Sequence, residues 1–345
     1  MELKREITNL PELVNKLKKK DKELFNRFYS VKLSVGRLKV TPEMETFVKS
    51  KFKSIKKTEN QKIVCINNKL TWEGNLFNEL RSMRPKPKVK FKLSELDNKE
   101  NCLFCNIEKQ TPLDIFGRIK GKHCITASNI AKCDKFHGLI IFNEHNPLKL
   151  KKAWLKDYFE TAEKWFDRTD NSNKKMINNF LIWNCLWRSS ASIIHGHMQI
   201  TASETKYQKI IRLEEIYDKY KKKYKSDYFL DLFKIHKNLG LGEKIGKSMV
   251  LYYLTPIKEK EIVVLSKEKR FPEISDLIYN LIKNYFRIGV QSFNVSLTKI
   301  KEYWMLRLVD RGSLENRNSD IGVMELYANS VVAYDPFRLV KEIKL

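Results

Sequence analysis

The chain has 345 residues, 42% of them hydrophobic, and a formal net charge of +26. That length accommodates two or more packed domains, and the apolar fraction excludes a disordered polypeptide. No apolar run approaches the roughly 20 residues that would span a bilayer, so no membrane partner is expected. The opening segment "MELKREITNLPELVNKLKKK" is charged and helix-like and lacks the apolar core of a signal peptide, which predicts a cytoplasmic protein. The positive charge admits a nucleic-acid partner. Its lysines, however, are spread over every segment, as in a compositional bias or a lysine-rich surface, and an anionic small molecule needs only a few local charges. A nucleic-acid-binding protein is therefore the alternative from outside enzymology.

In chain order, residues 1–61 form a basic extension in which helical and strand-like patterns alternate. Thr41-Pro42-Glu43 is a helix start, with threonine as cap and proline in the first turn. "QKIVCINNKLTWEG" reads as a hairpin turning at Asn67-Asn68, and "MRPKPKVKF" as a proline-broken connector. "HGLIIFNE" is a buried strand. The helix that follows carries Trp154, Tyr158, Ala162 and Trp165 at helical spacing. "NNFLIWNCLW" and "IIHGHMQI" are strands, and 206–238 is helical and highly charged. The pattern then recurs: "SMVLYYLTP" and "KEIVVLSK" pair, a helix presents Leu277, Ile278, Leu281, Ile282, Tyr285 and Phe286 on one face, and "SFNVSLTK" and "EYWMLRLVD" follow as strands. Strand pair, helix, strand pair occurs twice, which predicts an α+β chain made of two copies of one antiparallel unit. "GLGEKIGKS" is not a phosphate loop. Such a loop has four residues between its first glycine and Gly-Lys, whereas Gly242 leaves three and Gly240 leaves five.

Only six histidines occur, and two of them form His195-x-His197-x-Gln199 within an apolar run, behind Ser189, Ser190 and Ser192. In a strand, residues i and i+2 face one side. One imidazole can then bind a metal while the other stays free as a nucleophile; two hydrogen-bonded core histidines are the plainer alternative. Cys102 and Cys105 are spaced C-x-x-C. Two thiolates at this spacing can grip one Zn²⁺, and two further ligands would complete a tetrahedron. No second C-x-x-C exists, so these must be histidines or more distant cysteines. A redox role competes, but no βαβ pattern surrounds the pair.

Together these residues resemble the galactose-1-phosphate uridylyltransferase branch of the histidine-triad superfamily, which includes ADP-glucose phosphorylase and dinucleoside tetraphosphate phosphorylases. The branch's Ser-x-x-His-x-His-x-Gln row is matched by Ser192, His195, His197 and Gln199, its asparagine on the preceding strand by Asn184, and its Arg-Pro before C-x-x-C by Arg84-Pro85. The likeness covers about residues 62–345. It implies two histidine-triad-like lobes, 62–205 with zinc and nucleophile and 206–345 as the second copy. It implies structural zinc on His195 with Cys102 and Cys105, attack by His197 on a nucleotide α-phosphorus, and phosphoryl contacts from Gln199 and Ser192. Asn184, Arg84 and Glu325 are the implied substrate contacts. His137, at its strand start, is the expected fourth zinc ligand, with His123 and His145 as alternatives. The implied activity is ping-pong nucleotidyl transfer between a nucleotide sugar and a sugar 1-phosphate, by a homodimer. A phosphorylase of nucleotide sugars or dinucleoside polyphosphates, taking inorganic phosphate as acceptor, is the alternative. No histidine follows His236, so the second metal site of some family members is expected to be absent, and the residues around Glu325 depart from the family's sugar-contacting stretch.

Overall fold

The computed structural model describes residues 3–84, 90–173, 175–316 and 323–345. Thirteen strands are named here in chain order: β1 (Tyr29–Arg37), β2 (Asn60–Asn68), β3 (Gly74–Phe77), β4 (Cys124–Ser128), β5 (Phe136–Phe142), β6 (Asn178–Cys185), β7 (His197–Ser203), β8 (Gly242–Ile245), β9 (Ser248–Tyr252), β10 (Ile262–Ser266), β11 (Phe293–Ile300), β12 (Tyr303–Asp310) and β13 (Asn329–Val332). Nine of them form one sheet in the order β4-β5-β7-β6-β11-β12-β10-β9-β8. The order is a near palindrome. β4-β5-helix-β6-β7 and β9-β10-helix-β11-β12 are two copies of one α+β unit, joined where β6 pairs antiparallel with β11, from Cys185↔Phe293 to Phe180↔Thr298.

Helices Lys152–Ser172 and Ser275–Arg287 pack against each other. The first buries Leu155, Tyr158, Phe159, Ala162, Trp165 and Phe166, the three-and-four spacing of an amphipathic helix. Trp154 is only partly buried at its edge. Against this helix, Phe142 of β5 stacks on Tyr158 with centroids 4.0 Å apart. Gly138 lies under the Trp165 ring, where a Cβ would stand 2.8 Å from the indole, so only glycine lets the helix come this close. The opposite face of the sheet near β5 carries a smaller cluster of Phe104, Ala127, Leu139 and Ile141. Here the candidate site lies.

The second sheet has the order β1-β2-β3-β13. β1 pairs with β2 from Tyr29↔Asn68 to Arg37↔Asn60, and Phe28 stacks on Tyr228 at 5.3 Å and lies 5.1 Å from Tyr220. β1 is thus hydrogen-bonded to β2, and Phe28, just before it, is buried against Tyr220 and Tyr228 of the 206–345 segment. The β2-β3 hairpin turns later than its asparagines suggested. Asn68 ends β2, and its Oδ1 accepts from the backbone N–H of Leu70 and Thr71 to shape the turn. In that turn Glu73 joins the two sheets. Its carboxylate takes hydrogen bonds from Lys209 (2.6 Å), Arg307 of β12 (3.0 Å) and the Tyr253 hydroxyl (3.2 Å). Burial alone would raise the Glu73 carboxyl, but the Arg307 and Lys209 charges bring it down to about 2. No described helix is long and apolar enough to cross a membrane.

Candidate active and metal site

Strand register assembles the site. β5 and β7 run antiparallel with Ile141 opposite His197, so the end of β5 and the start of β7 meet. Phe142 N–H donates to Gly196 O (2.9 Å) and Gly196 N–H donates to His145 O (2.8 Å). A side chain at 196 would collide with the Phe142 ring, which requires the glycine between the two histidines. His145, in the turn after β5, and His195, just before β7, are thereby held side by side, with ring centroids 4.9 Å apart.

A short helical turn, Leu103–Cys105, presents the two thiols. Cys105 Sγ lies 3.3 Å from His145 Nδ1 and 3.5 Å from His195 Nδ1, and Cys102 Sγ lies 3.5 Å from His195 Nδ1. The four ligand atoms of Cys102, Cys105, His145 and His195 lie within 4.8 Å of one another. A tetrahedron with metal–sulfur bonds of about 2.3 Å and metal–nitrogen bonds of about 2.0–2.1 Å has sulfur–nitrogen edges of roughly 3.5 Å. The tautomers also agree. His195 Nε2 donates to Phe142 O at 2.7 Å, so Nδ1 turns a bare lone pair toward both sulfurs, as metal-bound imidazoles do when a carbonyl fixes their far side. Burial holds His195 at about 4 and lowers His145, keeping both neutral. Burial and the adjacent Cys102 raise the Cys105 thiol, which a bound cation would reverse. This donor set fits a four-coordinate metal.

His137 is not part of this group, which corrects the expected fourth ligand. It is the second residue of β5, opposite Thr201, which is six residues along the chain from His195, or roughly 20 Å at about 3.3 Å per strand residue. Its Nδ1 accepts from the Cys133 N–H (3.2 Å), with the Cys133 thiol also 3.3 Å away. Its Nε2 lies 2.9 Å from Gln199 Oε1 and 3.1 Å from the Asn129 amide nitrogen. His137 therefore holds the side chain of Gln199. His123 is also outside the group; its backbone N–H is bonded to Asp157. His145 is the residue that the histidine arithmetic left unresolved.

Behind the metal group, His197 donates from Nδ1 to His195 O at 2.8 Å, which leaves its lone pair on Nε2, and burial lowers its pKa. Phe104, between the two cysteines, packs its ring 5.2 Å from His197 and 6.0 Å from His195. Gln199 shares the face of His197, and Asn184 of β6 joins them across the sheet. Ser192 is exposed in the loop before β7. Arg84 is exposed at the end of the short helix after β3, and its neighbour Pro85 lies outside the described residues. Glu325 pairs with Lys258 at 2.6 Å. A cleft of about 700 Å³ is lined by Phe91, Asn98, Trp187, Leu314 and Ile194, the chain neighbour of His195, among others. The Phe104 ring and the Phe142 carbonyl are parts of the site that local spacing does not reveal, because tertiary pairing brings them here.

No protein-family model matches the sequence, and no curated protein matches it. Solved structures do. An ADP-glucose phosphorylase from Arabidopsis thaliana with bound ADP-glucose superposes with a TM-score of 0.61 and 13% identity, over 79% of this chain and 95% of that one. A GALT-like protein from Arabidopsis thaliana gives a TM-score of 0.58 and 14% identity, over 71% and 91%. A uridylyltransferase gives 0.57 and 10%, over 81% and 96%. The chain has the α+β fold of galactose-1-phosphate uridylyltransferase-like proteins.

Proposed function

We propose that the chain is a nucleotidyltransferase that works by ping-pong exchange through a nucleotidyl-His197, between a nucleotide sugar and a sugar 1-phosphate. The observation that carries this reading is the hydrogen bond from His197 Nδ1 to His195 O. It aims a neutral ring whose free lone pair is on Nε2, and a neutral imidazole is a competent nucleophile near pH 7. In the first step, Nε2 forms a bond to the α-phosphorus while the bond from that phosphorus to the bridging oxygen breaks. The oxygen keeps the electron pair and leaves with the sugar phosphate. A phosphate oxygen of the acceptor then takes the nucleotidyl group and returns His197 to its starting state. The covalent intermediate divides one difficult transfer into two easier ones.

In this reading Gln199, Asn184 and Ser192 donate to the phosphoryl oxygens as charge develops on them, and Arg84 and Glu325 contact the remainder of the substrate. Residues 62–205 form the catalytic lobe, 206–345 its second copy, and two chains form a homodimer. Zinc on Cys102, Cys105, His145 and His195 would be structural, since four protein ligands leave no open position for substrate. It would fix the loop from which His197 is aimed.

The likeness in fold to an ADP-glucose phosphorylase supports a second reading with the same first step and inorganic phosphate as acceptor. One experiment serves both: nucleotide sugars and dinucleoside polyphosphates labelled at the α-phosphorus, scored for labelled protein and for release of label by hexose 1-phosphate or by phosphate. A protein that takes no label and instead binds oligonucleotide with steep salt dependence would replace both readings with the nucleic-acid one.

A further inference from the structure

The seam between the two halves of the large sheet carries a chain of polar side chains that ends beside His197. Arg311, just after β12, donates to Asn294 Oδ1 on β11. Asn294 Nδ2 donates to Ser189 O (3.0 Å) and to Asn184 Oδ1 (2.7 Å). Each orientation is forced by its neighbour. A guanidinium has donors only and a backbone carbonyl accepts only. Asn294 must therefore turn its oxygen to Arg311 and its NH₂ group to the seam. That NH₂ group in turn demands an oxygen from Asn184. The Asn184 NH₂ group is left over, and no hydrogen bond to a described residue uses it.

Its direction follows from register. Ile182 of β6 stands opposite Gln199 of β7 at the end of their ladder, and Asn184 is two residues farther along β6, toward the end at which His197 begins β7. Opposite residues, and residues two apart, share a face, so Asn184, Gln199 and His197 line one surface. A carboxamide is nearly symmetric in shape, and on its own Asn184 could present either end. Its oxygen would repel the oxygens of a phosphoryl group, whereas its NH₂ group would donate to them.

We propose that Asn294 and Arg311 are positioning residues of the second half. They lock the Asn184 carboxamide with its NH₂ group toward the phosphoryl group held at His197. This rests on the reading of His197 as nucleophile. The second copy of the repeat, which has no His-x-His of its own, thereby takes part in the chemistry of the first.

The discriminating variant is Asn294→Asp. It keeps an oxygen for Arg311 and replaces the NH₂ group by a second oxygen, so that Asn184 must turn its own NH₂ group to the seam. The measurement is the rate at which the full-length protein takes label from ADP-glucose and UDP-glucose carrying radioactive phosphorus at the α position. Asn184→Ala and Asn294→Asp should each slow labelling about tenfold or more, the scale of one lost donor to a developing oxyanion. The double variant should be no slower than Asn184→Ala alone, because both changes remove one interaction. Metal content should stay at the wild-type value, while loss of the donor to Ser189 O lowers the unfolding temperature of Asn294→Asp without unfolding it. Labelling of Asn294→Asp at the wild-type rate, or a double variant whose loss is the product of the two single losses, overturns the proposal. If Asn294→Asp does not fold, Asn294→Ala takes its place, with slowing that again is not additive with Asn184→Ala as the expected result and additivity as the contrary one. Absence of label on wild-type protein refutes the nucleotidyl-histidine itself and this relay with it. Label on wild-type protein with an indifferent Asn294 refutes the relay alone.

Discussion

His197 gives its Nδ1 proton to the carbonyl oxygen of His195, 2.8 Å away, while His195 gives its own Nε2 proton to the carbonyl of Phe142 at 2.7 Å. The two rings therefore hold opposite tautomers. One offers Nδ1 to the cysteines and the other keeps Nε2 for a substrate. Removing the second ring should abolish labelling and spare the metal. For His197→Gly we expect no labelled protein, wild-type metal content, and partial return of label transfer when imidazole is added to the space left behind. Near-normal labelling of this variant, or peptide mapping of the label to another residue, would show that the nucleophile lies elsewhere.

The metal group makes a sharper demand. Purified protein should hold about one zinc per chain, as one closed four-ligand site requires. Cys102→Ser and His145→Asn should each lower both zinc retention and the unfolding temperature, because a structural site contributes folding energy. His137→Asn should retain zinc fully. Elemental analysis of these three variants decides between His145 and His137 directly.

His137 should matter in another way. Its contact with Gln199 Oε1 fixes the orientation of that amide, with its oxygen toward His137. His137→Phe removes the polar partner at similar burial. Labelling should slow several-fold, as for a single hydrogen bond worth about 1 kcal/mol, with the metal in place. An unchanged rate would reduce His137 to packing.

A pH dependence follows from Glu73. Its folded pKa of about 2 lies below the ordinary 4.5, so the unfolded chain binds the proton more readily. The stabilisation is present in full above about 4.5 and is lost as the pH falls through 2. A depression of this size corresponds to on the order of 3 kcal/mol. Denaturation of wild type and Glu73→Gln should differ by about that amount at neutral pH, and the difference should shrink steadily below about pH 4. A pH-independent difference would mean that Glu73 acts through packing alone.

Truncation before Lys62 removes β1 from its pairing with β2 and strips Phe28 from Tyr220 and Tyr228. The shortened chain should be markedly less stable, since loss of one buried phenylalanine alone costs about 3–5 kcal/mol. Phe28→Ala in the full chain is the milder test, read by its unfolding midpoint.

Much of this architecture is legible in the sequence because its signals are local. Seven buried residues in β5, the stripe of the helix Lys152–Ser172 and their recurrence around Ser275–Arg287 are patterns that burial on one or both faces imposes on the chain. The fourth metal ligand is a different kind of fact. His123, His137 and His145 are alike in local chemistry, and only the antiparallel β5–β7 register decides among them. Because His195 precedes β7, its partner must follow β5, where His145 stands. Asn294 and Arg311 are harder still. More than a hundred residues separate Asn294 from Asn184, and nothing in either neighbourhood announces that two repeats meet there.

The seam at β6 and β11 has a consequence for how such a chain stays monodisperse while it folds. Two separate units of this kind would each expose a long strand flank with unpaired amide groups, a template for aggregation. Fusion back to back consumes β6 and β11, each eight residues long, against each other. The outer strands of the sheet are β4, with five residues, and β8, with four, and β4 is itself covered by residues 119–121, which bridge to it at Lys120↔Ile125. A duplication that doubles the sheet has thereby retired two eight-residue borders and left only short strands at the ends of this sheet.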